Sequence, residues 1–150
     1  MNQNALANPP DSGNSHEVTR LAVNRMQDVI LARFVGREEA VRMGFQPEAV
    51  TEIATAISEI TRNVVQHAGA PGRIRLFVEQ RADRLGLKIL VEDAGKGIEH
   101  IERLEFDSAA AFGAGIPGAR RLMDEFQLES RPGATALTMV KWLPPTSAAS

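Results

Sequence analysis

Several features are missing from this sequence, and each absence excludes a class of protein. Its 150 residues contain no cysteine, which excludes a disulfide framework, a thiolate nucleophile and a cysteine-bound metal. The formal net charge is only −2, so the composition predicts neither a nucleic-acid-binding nor a membrane-binding protein. No apolar run approaches the ~20 residues that span a bilayer, and the polar N-terminus does not resemble a secretory signal. Together these absences indicate a soluble, cytoplasmic protein.

The composition that is present is typical of a globular protein, with 43% hydrophobic and 24% charged residues. A chain of this length fits one domain with a sizeable core. Residues 1–15 are rich in Asn, Pro, Gly and Ser and lack periodicity, which predicts a disordered tail. We therefore expect one folded domain at 16–143, followed by a loose C-terminal tail at 144–150.

The spacing of apolar residues predicts an alternation of strands and helices. Gly44 is suited to end the first helix and Pro47 to open the second. The predicted elements are a strand at 17–25, helices at 26–43 and 47–68, strands at 73–79 and 87–91, a short helix at 119–125, and strands at 126–130 and 135–142. This order indicates an α+β fold, in which one mixed or antiparallel sheet is covered on one face by helices.

Polar residues recur at intervals of four along the second predicted helix. Glu59, Asn63 and His67 therefore lie on one face, beside the apolar stripe. One interpretation is an ordinary solvated helix face. The other is a site in which the carboxylate is a general base and the amide oxygen one turn later is a ligand for Mg²⁺.

A carboxylate and two glycines follow the predicted strand at 87–91. Asp93 can accept a hydrogen bond from an exocyclic amine such as that of adenine, and Gly95 and Gly97 would let the backbone approach a flat ring. By itself this pattern is more typical of a turn that ends a strand.

A third glycine-rich segment, "FGAGIPGARRL", precedes the short predicted helix. Gly113, Gly115 and Gly118 lie where backbone N–H groups could bind an anion at a helix start. A flexible loop that leads into a helix is the alternative interpretation. The segment lacks the Gly-Lys-Ser/Thr of a P-loop and the strand context of a Rossmann fingerprint.

The order of these segments is more specific than any one of them. A Glu-x-x-x-Asn helix, Asp-x-Gly-x-Gly after a strand and a glycine-rich loop before a helix resemble the N, G1 and G2 boxes of the GHKL ATPase superfamily. Four segments narrow the resemblance to the anti-sigma-factor serine/threonine kinases of that superfamily, and within them to the stressosome switch kinases. They read "TAISEITRNVVQHAG", "GLKILVEDAGKGI", "FGAGIPGARRLMDEFQLES" and "MVKWL". The resemblance extends over about 18–143.

The resemblance implies the Bergerat ATP-binding fold, with ATP and Mg²⁺ as ligands. It implies that Glu59 is the catalytic base that deprotonates a serine or threonine of a partner, and that Asn63 binds Mg²⁺ on the ATP phosphates. The residues that it places around the nucleotide are Asp93, Gly95 and Gly97 at adenine, Gly113, Ala114, Gly115 and Gly118 at the phosphates, and Thr135 near adenine.

The resemblance also implies how such a kinase acts. It would phosphorylate STAS-domain scaffold or antagonist proteins and, once released, bind a downstream output protein such as a PP2C-type phosphatase. One departure favours a different function, because Ala110 and Ala111 replace two lid glycines and should stiffen the lid. The alternative is an anti-sigma factor or a non-catalytic partner-binding module with weak kinase activity.

Overall fold

The chain forms a five-stranded antiparallel sheet with helices on one face. The computed structural model describes residues 14–67, 69–95, 116–131 and 133–145. The elements are β1 (Asn14–Ala22), α1 (Met26–Met43), α2 (Pro47–His67), β2 (Gly72–Arg81), β3 (Arg84–Asp93), α3 (Ile116–Leu122), β4 (Glu125–Arg131) and β5 (Ala134–Trp142). The strand order is β1-β2-β3-β5-β4, and every neighbouring pair is antiparallel. The predicted α+β class with helices on one face is confirmed.

The ends of α1 follow from local chemistry. The carboxylate of Asp28 accepts hydrogen bonds from the backbone N–H groups of Asn24 (2.8 Å) and Arg25 (3.0 Å). These bonds satisfy donors at the helix start and hold the pKa of Asp28 below its usual value. At the other end Gly44 has a φ of 96°, a left-handed conformation that glycine adopts without strain. The predicted bounds of this helix are confirmed.

The core lies between α2 and the sheet. The predicted apolar stripe of α2 is buried, and its isoleucines pack on alternate residues of the three central strands. The largest fully buried side chains are Ile53, Ile57, Ile60, Ile74, Leu76, Leu87, Ile89, Ile116, Leu137 and Met139. Burial of one face of an amphipathic helix against one face of a sheet explains why α2 keeps a strict helical period of apolar residues.

Two predicted strand boundaries were wrong, because backbone pairing continues beyond the residues that alternate between apolar and polar. β1 begins at Asn14, since Asn14 and Ser15 pair with Gln80 and Glu79 of β2. Two residues of the predicted disordered tail therefore belong to a strand. In the β2–β3 hairpin, pairing extends to Arg81 and Arg84, which leaves a turn of only two residues.

The short helix also differs from the prediction. It spans 116–122 rather than 119–125, and its buried residues Ile116 and Ala119 pack into the core. Glu125, predicted as helical, pairs with Val140 as the first residue of β4. Lys141 of β5 fixes the end of α3 by donating to the carbonyl of Leu122 (2.5 Å).

The sheet face opposite the helices is covered by charged side chains. Glu79 is buried there and contacts Ser15 and Arg81, with the ammonium of Lys88 3.7 Å away. We call this charged surface the outer face. Among the described residues, no helix is both long enough and apolar enough to cross a membrane.

Candidate functional site

Three strands bring polar residues together at one end of the sheet. Gly72 of β2 pairs with Asp93 of β3, which in turn pairs with Thr135 of β5. Directly opposed residues on antiparallel strands have Cβ atoms about 5 Å apart, so the side chains of Asp93 and Thr135 are neighbours. Both are buried, and both lie on the face that the helices cover.

Helix α2 closes over this end of the sheet. A Cβ atom added to Gly72 would lie 2.7 Å from Cγ1 of Val64 and 3.2 Å from the carbonyl oxygens of Glu92 and Val23. Only glycine therefore permits this approach of helix and strand. Because Asn63 adjoins Val64, its side chain is brought to the same end of the sheet as Asp93.

Buried polar atoms without partners are concentrated at this end. Within the described residues, four buried side-chain polar atoms have no hydrogen-bond partner. Three of them are Asn63 Oδ1, Asp93 Oδ2 and Thr135 Oγ1, on residues only 8%, 5% and 3% exposed. Nearly all buried polar groups in proteins are hydrogen-bonded, so a cluster of exceptions points to a ligand-binding site.

The backbone after β3 fixes the carboxylate of Asp93. The N–H of Gly95 donates to Asp93 Oδ1 at 2.8 Å, while Oδ2 has no partner within the described residues. One oxygen thus orients the carboxylate and the other is left to accept a hydrogen bond. The turn interpretation is therefore correct for residues 93–95, and the binding interpretation stays a prediction.

Glu59 lies one turn before Asn63 on α2 and is partly buried. Its carboxylate forms an ion pair with Arg62, Oε2 to Nη1, at 3.2 Å. The sequence-based prediction overlooked Arg62, although a Glu–Arg spacing of three on a helix is a recognisable pairing signal. The site therefore contains a cation next to the candidate base.

Residues along this face of α2 differ in their surroundings. Asn63 is buried, which excludes a plain solvated face at that position. His67, the last residue of α2, is exposed.

Two cavities border Asp93. One of 210 Å³ is lined by Asp93 and Thr135 together with Glu129 and Arg131 of β4. The other, of 280 Å³, lies on the side of Pro71. Both cavities therefore lie at the end of β3, next to Asp93.

Several predicted site residues cannot be placed relative to this cluster. Gly97, Gly113, Ala114 and Gly115 lie outside the described residues, as do Ala110 and Ala111. Gly118 is partly exposed in α3, and its φ is not positive, so the helix itself does not require glycine there. Its predicted contact with phosphate stays a prediction.

The antiparallel sheet, the Glu-x-x-x-Asn helix above it and the Asp-ended strand define a class of protein. The family model for the histidine kinase-like ATPase domain matches residues 23–141. The chain therefore belongs to the histidine kinase-like ATPase family. The resemblance inferred from the sequence is confirmed.

Two relatives show which kinds of protein within this family the chain is similar to. The chain is 43% identical over 122 residues to the serine/threonine-protein kinase RsbT of Bacillus subtilis, covering 77% of this chain and 90% of that protein. It is 33% identical over 133 residues to the anti-sigma F factor of a Thermoanaerobacter species, covering 81% of this chain and 90% of that protein. It is thus homologous both to a serine/threonine-protein kinase and to an anti-sigma factor.

A solved structure agrees with the fold. The RsbU and RsbW domains of Rv1364c from Mycobacterium tuberculosis match with a TM-score of 0.58 and 18% sequence identity. The match covers 85% of this chain and 34% of that one. At this identity the likeness concerns the fold alone.

Proposed function

We propose that the protein is an ATP-dependent serine/threonine-protein kinase that uses Mg²⁺ and works by partner switching. The observation that carries this proposal is the cluster of unpaired buried oxygens on Asn63, Asp93 and Thr135. Such a cluster has the chemistry of a nucleotide site, with a carboxylate for an amine and an amide oxygen for a metal.

The adenine end of the site would be formed by Asp93 and Thr135. Oδ2 of Asp93 can accept a hydrogen bond from the exocyclic amine of adenine, and the Thr135 hydroxyl can either donate or accept. A site built to bond one polar group discriminates strongly against ligands that lack it. This arrangement would therefore select a base with an exocyclic amine, such as adenine, over bases that lack one.

The phosphate end would be formed by α2. Mg²⁺ is commonly bound by one or two protein oxygens together with phosphates, and the unpaired Oδ1 of Asn63 fits that requirement. The metal would neutralise charge that develops on the phosphates during transfer. Arg62, beside Glu59, adds a second positive charge close to the same position.

Glu59 would act as the base in transfer to protein. Its carboxylate takes the proton from a serine or threonine hydroxyl of the partner, whose oxygen bonds to the γ-phosphorus as ADP leaves. The i, i+4 spacing of Glu59 and Asn63 puts base and metal ligand one helical turn apart. Base, metal and phosphate then meet on one side of α2.

The protein substrates that we propose are STAS-domain scaffold or antagonist proteins. The similarity covers 90% of the length of RsbT, which supports the same kind of kinase function for this chain as a whole. Phosphorylation adds roughly −1.5 to −2 charges, which would disrupt a packed interface and release the kinase. The released chain would then bind an output protein such as a PP2C-type phosphatase.

The test is transfer of radiolabelled phosphate from ATP to a purified STAS-domain protein of the same organism. Glu59→Gln should reduce transfer at least about a hundredfold, as expected for the loss of a general base, while ATP still binds. Asn63→Ala should abolish Mg²⁺-dependent ATP binding and transfer together. Glu52→Gln is the matched control, because Glu52 lies on the same helix and pairs with Lys141 instead.

Full transfer by Glu59→Gln would exclude Glu59 as the base. Full transfer by both variants would exclude the proposed mechanism. Loss of transfer in Glu52→Gln would indicate that any charge change on α2 inactivates the protein.

The similarity to an anti-sigma F factor favours a second candidate function, an anti-sigma factor or a partner-binding module with weak kinase activity. The same assay separates the two functions. Stable binding of a sigma factor without phosphate transfer to any STAS-domain protein would favour the second.

A further inference from the structure

Helix α1 carries a solvent-facing apolar stripe. Six large apolar side chains are exposed among the described residues, and all but Leu85 lie on α1: Met26, Ile30, Leu31, Phe34 and Val41. Ile30 is 69% exposed and Phe34 is 57% exposed. At about 100° per residue, Met26, Ile30, Phe34 and Val41 fall within an arc of about 80°, with Leu31 beside it. This set of five is here named the α1 stripe.

The stripe is long enough to receive another helix. From Met26 to Val41 it extends about 22 Å, or four helical turns. Contiguous exposed apolar surface of this kind usually marks an interaction site, whereas single exposed apolar residues need no explanation. Exposure of Ile30 and Phe34 does not serve the core, because α1 packs through Val29, Ala32, Gly36 and Ala40.

Positive charge lies along one side of the stripe: at about 100° per residue Arg37 falls between Met26 and Ile30, and Arg33 lies about 20° outside the arc. Arg33 and Arg37 are exposed, and within the described part of the chain neither has a hydrogen bond or ion pair. Arg42, by contrast, is paired with Glu39 at 2.6 Å. Glu38 lies on the other side of Phe34. The charge pattern therefore calls for carboxylates on a partner, next to Arg33 and Arg37.

A second copy of the chain does not meet this requirement. In a two-fold symmetric pair each surface contacts its own copy. Arg33 and Arg37 lie near the middle of the stripe along the helix axis, so an antiparallel pairing of two stripes would bring four guanidinium groups together. A parallel pairing would set only one carboxylate, Glu38, opposite the two arginines of each copy. An anionic membrane is also disfavoured, since lipid-binding helices typically carry clusters of four to eight basic residues.

We propose that the α1 stripe is the docking surface for an amphipathic helix of the output protein, whose apolar residues are bordered by carboxylates. Only the identification of this partner as the output protein rests on the proposed function. The surface and its required chemistry follow from α1 itself.

The orientation of α1 explains why this partner is the output protein rather than the phosphorylated substrate. A Cβ added to Gly36 would lie 2.2 Å from Cδ1 of Ile57, so this side of α1 contacts α2. The stripe lies on the opposite side and faces away from the helix that carries Glu59. A partner docked there need not present a hydroxyl to the base, and its binding does not depend on phosphate transfer.

The test measures affinity for the purified PP2C-type phosphatase by biolayer interferometry, beside phosphate transfer to the STAS-domain protein. Phe34→Glu should weaken phosphatase binding at least about tenfold, the loss typical of a central interface anchor, and leave transfer unchanged. Ile30→Gln, a milder change, should weaken binding in the same direction. Leu85→Glu, at the exposed apolar residue away from α1, should alter neither quantity.

The charge requirement is tested separately. The double variant Arg33→Glu, Arg37→Glu should slow association and reduce its dependence on salt, whereas the double lysine variant should retain both. Circular dichroism verifies that each variant is folded.

Four results would overturn the inference: wild-type chain that does not bind the phosphatase, unchanged binding by Phe34→Glu, a wild-type dimer that Phe34→Glu dissociates, or binding to anionic vesicles that Phe34→Glu abolishes. Each can occur while phosphate transfer is intact. Failure of docking is thereby distinguished from failure of the proposed kinase function.

Discussion

The two faces of the sheet bury polar groups in opposite ways. On the outer face, buried Glu79 is met by Ser15, Arg81 and Lys88, which come from three strands. On the helix-covered face, Asp93 and Thr135 each retain a buried oxygen without a partner among the described residues. On the outer face, Nε of Arg81 is the one buried side-chain polar atom without a hydrogen-bond partner among the described residues. The guanidinium of Arg81 packs over the ring of Trp142.

We propose that this difference separates residues that stabilise the fold from residues that bind a ligand. Leaving a buried polar atom unpaired costs about 1–3 kcal/mol of stability, so three such atoms at one end of a sheet oppose folding. A ligand that bonds them recovers this free energy, and the protein binds it correspondingly tightly. The paired charges on the outer face already bond one another and gain no further bond from a ligand. We therefore expect their substitution to affect stability alone.

The largest effect is expected at Asp93. Asp93→Asn places a neutral amide where the carboxylate would accept the adenine amine. It should weaken ATP binding about a hundredfold, which corresponds to about 2.7 kcal/mol and lies within the usual range for a hydrogen bond to a charged group. The melting temperature of the ligand-free protein should change little, since Oδ2 makes no bond there. Isothermal titration calorimetry and thermal denaturation measure the two quantities.

Glu92→Gln is the matched control for that change. Glu92 precedes Asp93 on β3 but points to the outer face, where it pairs with Arg73 at 2.8 Å. Its substitution should leave ATP affinity unchanged. Equal loss of affinity in both variants would contradict the distinction between the two faces, and so would wild-type affinity in Asp93→Asn.

Part of the difference between the two faces of the sheet can be predicted from the sequence, and part cannot. The alternation at 73–79 and the 3.6-residue period of α2 are local signals, which is why the sheet and the helices could be predicted from the chain alone. The roles of Glu59, Asn63 and Asp93 rest on the family resemblance and stay predictions. Burial of Asn63 was not predictable in this way, because it depends on the approach of Val64 to Gly72 across two elements. The partners of Glu79 come from strands that pair over long sequence separations.

Helix α1 illustrates a second limit. Apolar residues at helical spacing predict a helix whether its apolar side faces the core or a partner. Ile30 and Phe34 are exposed because α2 packs against the opposite side of α1, and this packing cannot be read from the local spacing of apolar residues. Strand ends were missed for a related reason, since backbone pairing at Asn14 does not require apolar side chains.

A smaller effect, on stability alone, is expected at Glu79. Glu79→Gln removes the charge that meets Arg81 and Lys88 in a buried position. It should lower the free energy of unfolding by about 2 kcal/mol, the middle of the range for charge-assisted bonds, without changing ATP affinity. Urea denaturation measures the change, with exposed Glu38→Gln as control. A loss of ATP affinity without a loss of stability would reverse the roles assigned to the two faces.

The smallest effect is expected at Glu17, on the more exposed part of the outer face. Hydrogen bonds from Arg75 and then Arg20 lower the pKa of Glu17 to about 2 from an ordinary value of 4.5. A carboxylate whose pKa is lower in the folded state stabilises the protein above its ordinary pKa, and this contribution is lost as the pH falls through the folded value. Glu17→Gln should therefore lower the melting temperature slightly at neutral pH, since solvent screens the pair. The difference from wild type should shrink between pH 4.5 and pH 2 and vanish below. A difference that stayed constant down to pH 2 would mean that Glu17 stabilises β1 by packing rather than by charge.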